Sequence, residues 1–205
     1  TMADIHRAGY LVPHWPKPYG LDADPMHQLI IDEEFQSAGV SRGGNAIGVG
    51  WAAPTIFLAG SDWQKERFLD KIFTGEEIWC QLFSEPGAGS DVGNLSTKAV
   101  RQEDGTYRIQ GSKIFITNGT RADYLICFVQ TDPDHSNRHR RHSMIMEETD
   151  AEGFESNKLN GKLGIRASDT AEISFNNVRV PRTNLIGEQG NGFAEAMYLF
   201  NTNRV

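Results

Sequence analysis

Residues 83–93 read "FSEPGAGSDVG", which brings two hydroxyls (Ser84, Ser90), two carboxylates (Glu85, Asp91) and three glycines (Gly87, Gly89, Gly93) into one short stretch. Glycines let the backbone approach a ligand closely, and successive N–H groups in a turn form a concave nest for an anion. The hydroxyls add donors and acceptors to the same surface. The stretch is neither of two familiar phosphate loops. No lysine follows the glycines as a P-loop requires, and Val92 stands where a dinucleotide fingerprint needs its last glycine. A tight turn leaving the apolar run "IWCQLF" accounts for the same composition. The residues alone leave both readings open.

Two other stretches combine chemistry with pattern. In "GSKIFITN" (111–118), Ile114 and Ile116 alternate with Phe115 and Thr117, as in a half-buried strand. "NRHRRH" (137–142) is the basic cluster of a chain whose formal net charge is −7. It reads either as a solvated loop or as a resting place for phosphates. An acidic balance argues against a general nucleic-acid binder, which needs clustered Lys and Arg, but it leaves room for a small phosphorylated ligand. Cys80 and Cys127 sit in apolar runs and read as buried, reduced thiols, too few to build a metal site. No apolar run is long enough for a bilayer, and the N-terminus lacks a signal-peptide layout. The expectation is a soluble, cytoplasmic protein with no membrane insertion.

The elements that must carry these residues follow from periodicity. With 39% hydrophobic residues the chain can bury a core. In "DADPMHQLIIDEEFQSAG", Asp24 is a candidate N-cap, Pro25 suits the first helical position and Gly39 the stop. Met26, Leu29, Ile30 and Ile31 supply that helix with an apolar stripe. A second helix starts at Ser61, where Gln64 completes a capping box, and ends at Gly75. Phe68, Leu69, Ile72 and Phe73 form its buried face. Between them "AIGVGWAAPTIFLAG" predicts a closely packed helix that Pro54 bends or begins. From Ile78 the period falls to that of strands. "TKAVRQEDGTYRIQGSKIFITNG" divides at Asp104-Gly105, Gly111 and Asn118-Gly119, and "YLICFVQT", "HSMIMEE" and "AEISFNNVRV" follow. Helical spacing returns after Gly192 with Phe193, Ala196, Met197 and Phe200.

Four strings in this order, "FSEPGAGSDVG", "GSKIFITNG", "SDTAEISFNNVRVP" with "NLIGEQGNGF", and "FNTNR", resemble the acyl-CoA dehydrogenase family. The resemblance runs from about Ala8 to the last residue. It implies an α+β fold: a helical N-terminal domain (1–77, incomplete), a β-barrel-like middle domain carrying a flavin and acyl-CoA face (78–188), and the start of a C-terminal helical bundle (189–205, truncated). The implied cofactor is FAD, held by Gln81, Leu82, Phe83 and Ser84 along its pyrimidine side, by Gly89 and Ser90 in the glycine turn, and by Phe115, Ile116 and Thr117. Phe115 lies against the ring and the Thr117 hydroxyl near N5. Ser90 also meets the thioester, Arg140 is the choice for the CoA phosphates, and Arg204 and Asn201 occupy substrate-side positions. An aspartate is common where this chain has Asn201.

The reaction implied removes a proton from Cα of an acyl-CoA while a hydride leaves Cβ for the flavin. Glu85 is not given the base role, because the family keeps a Glu-Pro pair there without it. One family location for the base matches Asn203, an amide that cannot serve, and the other lies beyond Val205. No catalytic residue is therefore assigned. The expectation is that these residues alone do not turn over acyl-CoA, and that Phe193, Met197 and Phe200 expose an apolar stripe. The whole protein is expected to continue past Val205 as a homodimer or homotetramer, with electron-transferring flavoprotein as electron acceptor. A flavin oxidase or monooxygenase, a non-catalytic acyl-CoA-binding relative and a purely structural β-domain are the alternatives.

Overall fold

A computed structural model describes residues 1–203. Helix α1 (Met2–Arg7) is short and was not expected from periodicity; Thr1 and Asp4 close a capping box around its first turn. Helix α2 (Pro25–Ser37) begins as its sequence predicts, with the Asp24 carboxylate accepting from the Met26 and His27 N–H groups. Its stripe does not behave as a core face. Met26, Leu29 and Ile30 are exposed and no residue of α2 is buried, so the cap and Pro25 define this helix rather than burial. Residues Gly48–Ala52 make one wide π turn that runs into α3 (Ala53–Ala59). Pro54 lies in the first turn of α3, directly after the π turn.

Helix α4 (Asp62–Thr74) matches its expected start, buried face and stop. Ser61 and Gln64 form the capping box, Phe68, Leu69, Ile72 and Phe73 are buried, and Gly75 closes the helix at φ +78°. That left-handed geometry is one glycine adopts at little cost. Gln64 does more than cap. Its Nε2 donates to the carbonyls of Thr183 (2.8 Å) and Leu185 (3.0 Å), tying the helix start to a distant sheet edge.

The strands are β1 (Trp79–Leu82), β2 (Lys98–Arg101), β3 (Tyr107–Thr117), β4 (Tyr124–Gln130), β5 (His142–Glu148), β6 (Phe154–Lys158), β7 (Thr170–Val180) and β8 (Leu185–Ile186). They form one mixed sheet in the order β6-β7-β3-β2-β4-β5-β8, with β1 parallel to β4. Gly111 bends β3 instead of ending it. It sits at φ +147° beside a register shift, and a Cβ there would lie 2.6 Å from Thr97 Oγ1. Strand β6 was not anticipated, since "FESNK" carries no apolar alternation.

Alternation places the sheet's side chains in two cores. Cys80, Leu82, Leu125, Cys127, Val129 and Ile145 join Ile109, Ile173 and Phe175 in one cluster. Residues from β1, β3, β4, β5 and β7 thus meet inside the curl of a single sheet, the barrel-like shape expected. Trp79, Ile126, Phe128, Met144 and Met146 point the other way, against α3, α4 and α5 (Gly192–Asn203). On α5 the fully buried residues are Ala196 and Leu199, while Phe193, Met197 and Phe200 are half-buried against the same core. The expected exposed stripe is therefore corrected: α5 lies on β5 and α3. Gly192 permits this approach, because a Cβ there would fall 2.7 Å from Ser143 Cα. Both cysteines are free and buried, as read from their apolar runs. Among the described residues no helix is long and apolar enough to cross a membrane.

Replacing Gln64 with Ala removes one half of a capping box and two hydrogen bonds to the carbonyls of Thr183 and Leu185. A loss of roughly 2–3 kcal/mol is expected from the denaturant midpoint, against about 1 kcal/mol for Ser61→Ala.

Candidate functional site

Strand β1 alternates, so Gln81 and Phe83 face the helices while Leu82 points into the sheet's interior core. The chain then leaves the sheet through the glycine turn. Glu85 and Ala88 exchange backbone bonds (2.8 and 3.1 Å), which closes the turn tightly and leaves Gly87 and Gly89 at its outer side. The Ser84 carbonyl accepts from the Ile114 N–H at 2.9 Å, joining the turn to β3.

Beneath the turn lies a buried ion pair. Lys113, wholly inaccessible to solvent, donates from Nζ to Glu85 Oε1 (2.9 Å) and to the carbonyls of Phe83 (3.1 Å) and Phe128 (2.7 Å). Glu85 Oε2 accepts from the Ser96 N–H (2.7 Å) and hydroxyl (2.8 Å), and Oε1 from the Thr97 N–H (2.9 Å). Burial by itself would raise the Glu85 pKa. The neighbouring Lys113 charge and the bonds from Thr97, Ser96 and Lys113 outweigh it and push the carboxyl down to about 2. Glu85 is thus locked as an ionised, fully engaged acceptor, which agrees with withholding the base role from it.

Two residues beyond Lys113, Phe115 has φ +61°, uncommon for a residue with a side chain. The β3–β7 register shifts between Lys113 and Ile116. This irregularity re-aims the strand: Lys113 and Ile116 are buried, and the Phe115 ring between them is 68% exposed.

The turn and the bulge meet at one cavity of about 230 Å³, lined by Gln81, Phe83, Ser84, Gly89, Phe115, Ile116 and Thr117 together with Trp51 and Phe200. A larger cleft of about 850 Å³ shares Ser84, Gly89, Val92 and Phe200 with it, so the two are continuous. The larger one extends past Ser90, Phe193, Met197 and Asn201 to Arg138 and Asp91. Two of the expected residues stand apart. Leu82 can contribute only backbone on this side, and Arg140 is not part of the cleft wall.

Within the basic cluster the wall cation is Arg138, whose Nη2 lies 3.4 Å from Asp91 Oδ1. Its neighbours are engaged otherwise. The His139 ring sits 4.3 Å from that of Phe193, and Arg141 Nε donates to the His135 carbonyl. Arg204 and the side chain of Asn203 lie outside the described residues.

Sequence reasoning missed Trp51, Arg138 and Lys113. Lys113 left a signal, since it continues the inward register of Tyr107, Ile109 and Gly111, where a charge demands a partner, and Arg138 stands in the basic cluster from which Arg140 was the choice.

Comparison with known proteins matches this architecture. The family model for the acyl-CoA dehydrogenase N-terminal domain covers residues 1–76, and that for the middle domain covers residues 80–178. The chain belongs to the acyl-CoA dehydrogenase family. Acyl-CoA dehydrogenase FadE34 of Mycobacterium tuberculosis is 40% identical over 96% of this chain and 27% of its own length. The short-chain specific acyl-CoA dehydrogenase of Megasphaera elsdenii is 40% identical over 89% of this chain and 47% of its own length. The crystal structure of an acyl-CoA dehydrogenase from Geobacillus kaustophilus superimposes with a TM-score of 0.83 at 38% identity, covering 99% of this chain and 53% of that one. The chain thus spans about half the length, or less, of the curated relatives it matches.

The lining suits the flavin that the family resemblance implies. Gln81 binds Thr55 with one end of its amide (3.3 Å), while its Oε1 is buried with no hydrogen-bond partner. Gln81 lines the cavity, and an amide left half satisfied at its wall favours a ligand with a polar edge. Trp51 and the open face of Phe115 supply apolar surface, and Ser84 and Thr117 supply hydroxyls. A flat ring with one polar rim meets both demands.

The Glu85 carboxyl also sets a pH dependence. Its folded pKa lies below the unfolded value of 4.5, so its stabilisation is present above about pH 4.5 and lost as pH falls toward 2. Glu85→Gln should be less stable than the parent at neutral pH, and the gap should narrow across that acid interval. Denaturant midpoints of the two proteins measured against pH check this.

Proposed function

We propose that this chain binds FAD and an acyl-CoA thioester, and forms the flavin and thioester face of an enzyme that dehydrogenates acyl-CoA between Cα and Cβ. The observation that carries the reading is the convergence of residues 81–84, the glycine turn and residues 115–117 on one cavity that opens into a longer cleft along α5. FAD, when bound, supplies the hydride acceptor. The protein's part is to hold, orient and keep dry. Phe115 and Trp51 offer an apolar wall, Thr117 and Ser84 offer hydroxyls, and the half-satisfied Gln81 amide lies in the same wall.

The larger cleft suits the thioester. Phe193, Met197 and Phe200 give it an apolar side, Ser90 a hydroxyl and Arg138 a cation. Such a layout fits an acyl group continued by a phosphorylated tail. Neither nearby carboxylate is assigned as the base, since Glu85 is held by Lys113, Ser96 and Thr97, and Asp91 faces Arg138. Electron-transferring flavoprotein as electron acceptor and a homo-oligomeric assembly belong to the same reading.

Reconstitution with FAD, followed by absorbance on addition of acyl-CoA with and without oxygen, tests the proposal. A protein that retains no flavin would sink it, and rapid reoxidation by oxygen would favour an oxidase. Thr117→Val keeps the branched shape and removes one hydroxyl, so the fold should persist. Flavin affinity should fall roughly two- to tenfold, the equivalent of one net hydrogen bond. Arg138→Ala should weaken acyl-CoA binding about fivefold and flatten its salt dependence. Binding of a pantetheine thioester, which lacks the phosphates of CoA, should change far less.

A further inference from the structure

We propose that the Lys113–Glu85 pair is a positioning device for the flavin cavity, locking the glycine turn and the Phe115 bulge into one register. The proposal rests on the flavin reading above. A buried ion pair is a poor way to gain stability, because desolvation offsets most of the attraction and apolar residues of similar size often do as well. Its directionality is what an apolar core lacks. Lys113 Nζ reaches three acceptors on two separate segments: Phe83 and Glu85, where the chain leaves β1 for the turn, and Phe128 on β4. Glu85 extends the link to Ser96 and Thr97 at the approach to β2.

The neighbouring backbone makes the coupling local. Ile114, next to Lys113, donates its N–H to the Ser84 carbonyl, and Phe115 follows at positive φ. Of the two residues that line the cavity from opposite elements, Ser84 therefore takes part in this crossing and Phe115 directly follows it. A slip of one residue along a strand moves its side chains by roughly 3.3 Å and exchanges the faces they occupy. Dispersion contacts from a methionine at position 113 would fill the space without opposing such a slip. A pair kept only for stability predicts that stability and flavin binding rise and fall together; a positioning pair predicts that they separate.

The experiment compares the parent protein, Lys113→Met, Glu85→Gln and the double variant Lys113→Met/Glu85→Gln. Each is measured for denaturant stability, FAD affinity and the visible circular dichroism of bound flavin. Each single variant leaves one charge buried without its partner and should be the less stable. The double variant should recover most of the stability but bind FAD at least tenfold more weakly, with an altered flavin signal. Parental stability with FAD affinity within twofold of the parent and an unchanged signal would overturn the proposal. If the double variant does not fold, Ser96→Ala carries the test, since it keeps both charges and removes one donor to Glu85. A twofold or greater loss of affinity with a changed flavin signal supports positioning, and no change in either overturns it. A parent that binds no FAD would overturn the functional reading and this one together, whereas a binding parent with an equal double variant would overturn positioning alone.

Discussion

An ammonium group sealed from water is the constraint on which the candidate site depends. A charge in a protein interior must be paired and hydrogen-bonded or the fold does not tolerate it. Lys113 meets that demand with one carboxylate and two backbone carbonyls, drawn from residues 83–85 and from Phe128. Satisfying one side chain thereby fixes the end of β1, the start of the glycine turn and the middle of β4 relative to β3. Glu85 has the complementary problem, and solves it with donors from Ser96, Thr97 and Lys113. The turn's flexibility is then confined to Gly87 and Gly89 at its tip, while its base is rigid.

With the base of the turn held, the cavity above it is shaped by two deviations from regular structure. The β3 bulge turns Phe115 outward, and the wide π turn ahead of α3 brings Trp51 to the same opening. Phe200 closes the opening from α5, with its ring 5.1 Å from Phe83 and 6.0 Å from Trp51. Helix α5 can lie there because Gly192 rests directly on the Ser143 backbone. The cleft is thus a seam between a sheet that curls around its own core and helices laid against its outer face. Such a seam offers apolar walls from the helices and polar backbone from the turn, the combination a thioester and a ring with one polar rim require.

Local rules carried much of the architecture. The Ser61–Gln64 box, Gly75 and the 3.6-residue spacing of Phe68, Leu69, Ile72 and Phe73 defined α4 from sequence, because capping and amphipathicity act within a few residues. The same holds for Asp24 and Pro25 at α2, for the continuous buried runs of β4 and β5, and for the alternation of β7. Local rules misled where burial decides. The α2 stripe had the composition of a core face and lies open, whereas the α5 stripe, expected to lie open, is half-buried on β5 and α3.

The motifs themselves named most of the cavity wall: Gln81, Phe83, Ser84, Gly89 and Phe115 to Thr117 converge as two separate strings of sequence suggested. Sequence by itself determined which segments carry polar and aromatic groups and which strands alternate, since those are properties of residue type and spacing. Tertiary structure alone decided that Leu82 faces inward, that Arg138 and not Arg140 lines the cleft, and that Glu85 is consumed by Lys113. Each of these depends on which distant segment lies opposite a side chain, and no window of neighbouring residues contains that information. The Phe115 bulge is of the same kind: it lies between Lys113, whose partners are Glu85 and Phe128, and Ile116, which pairs with Ala171 of β7, and all three of those partners are remote in sequence.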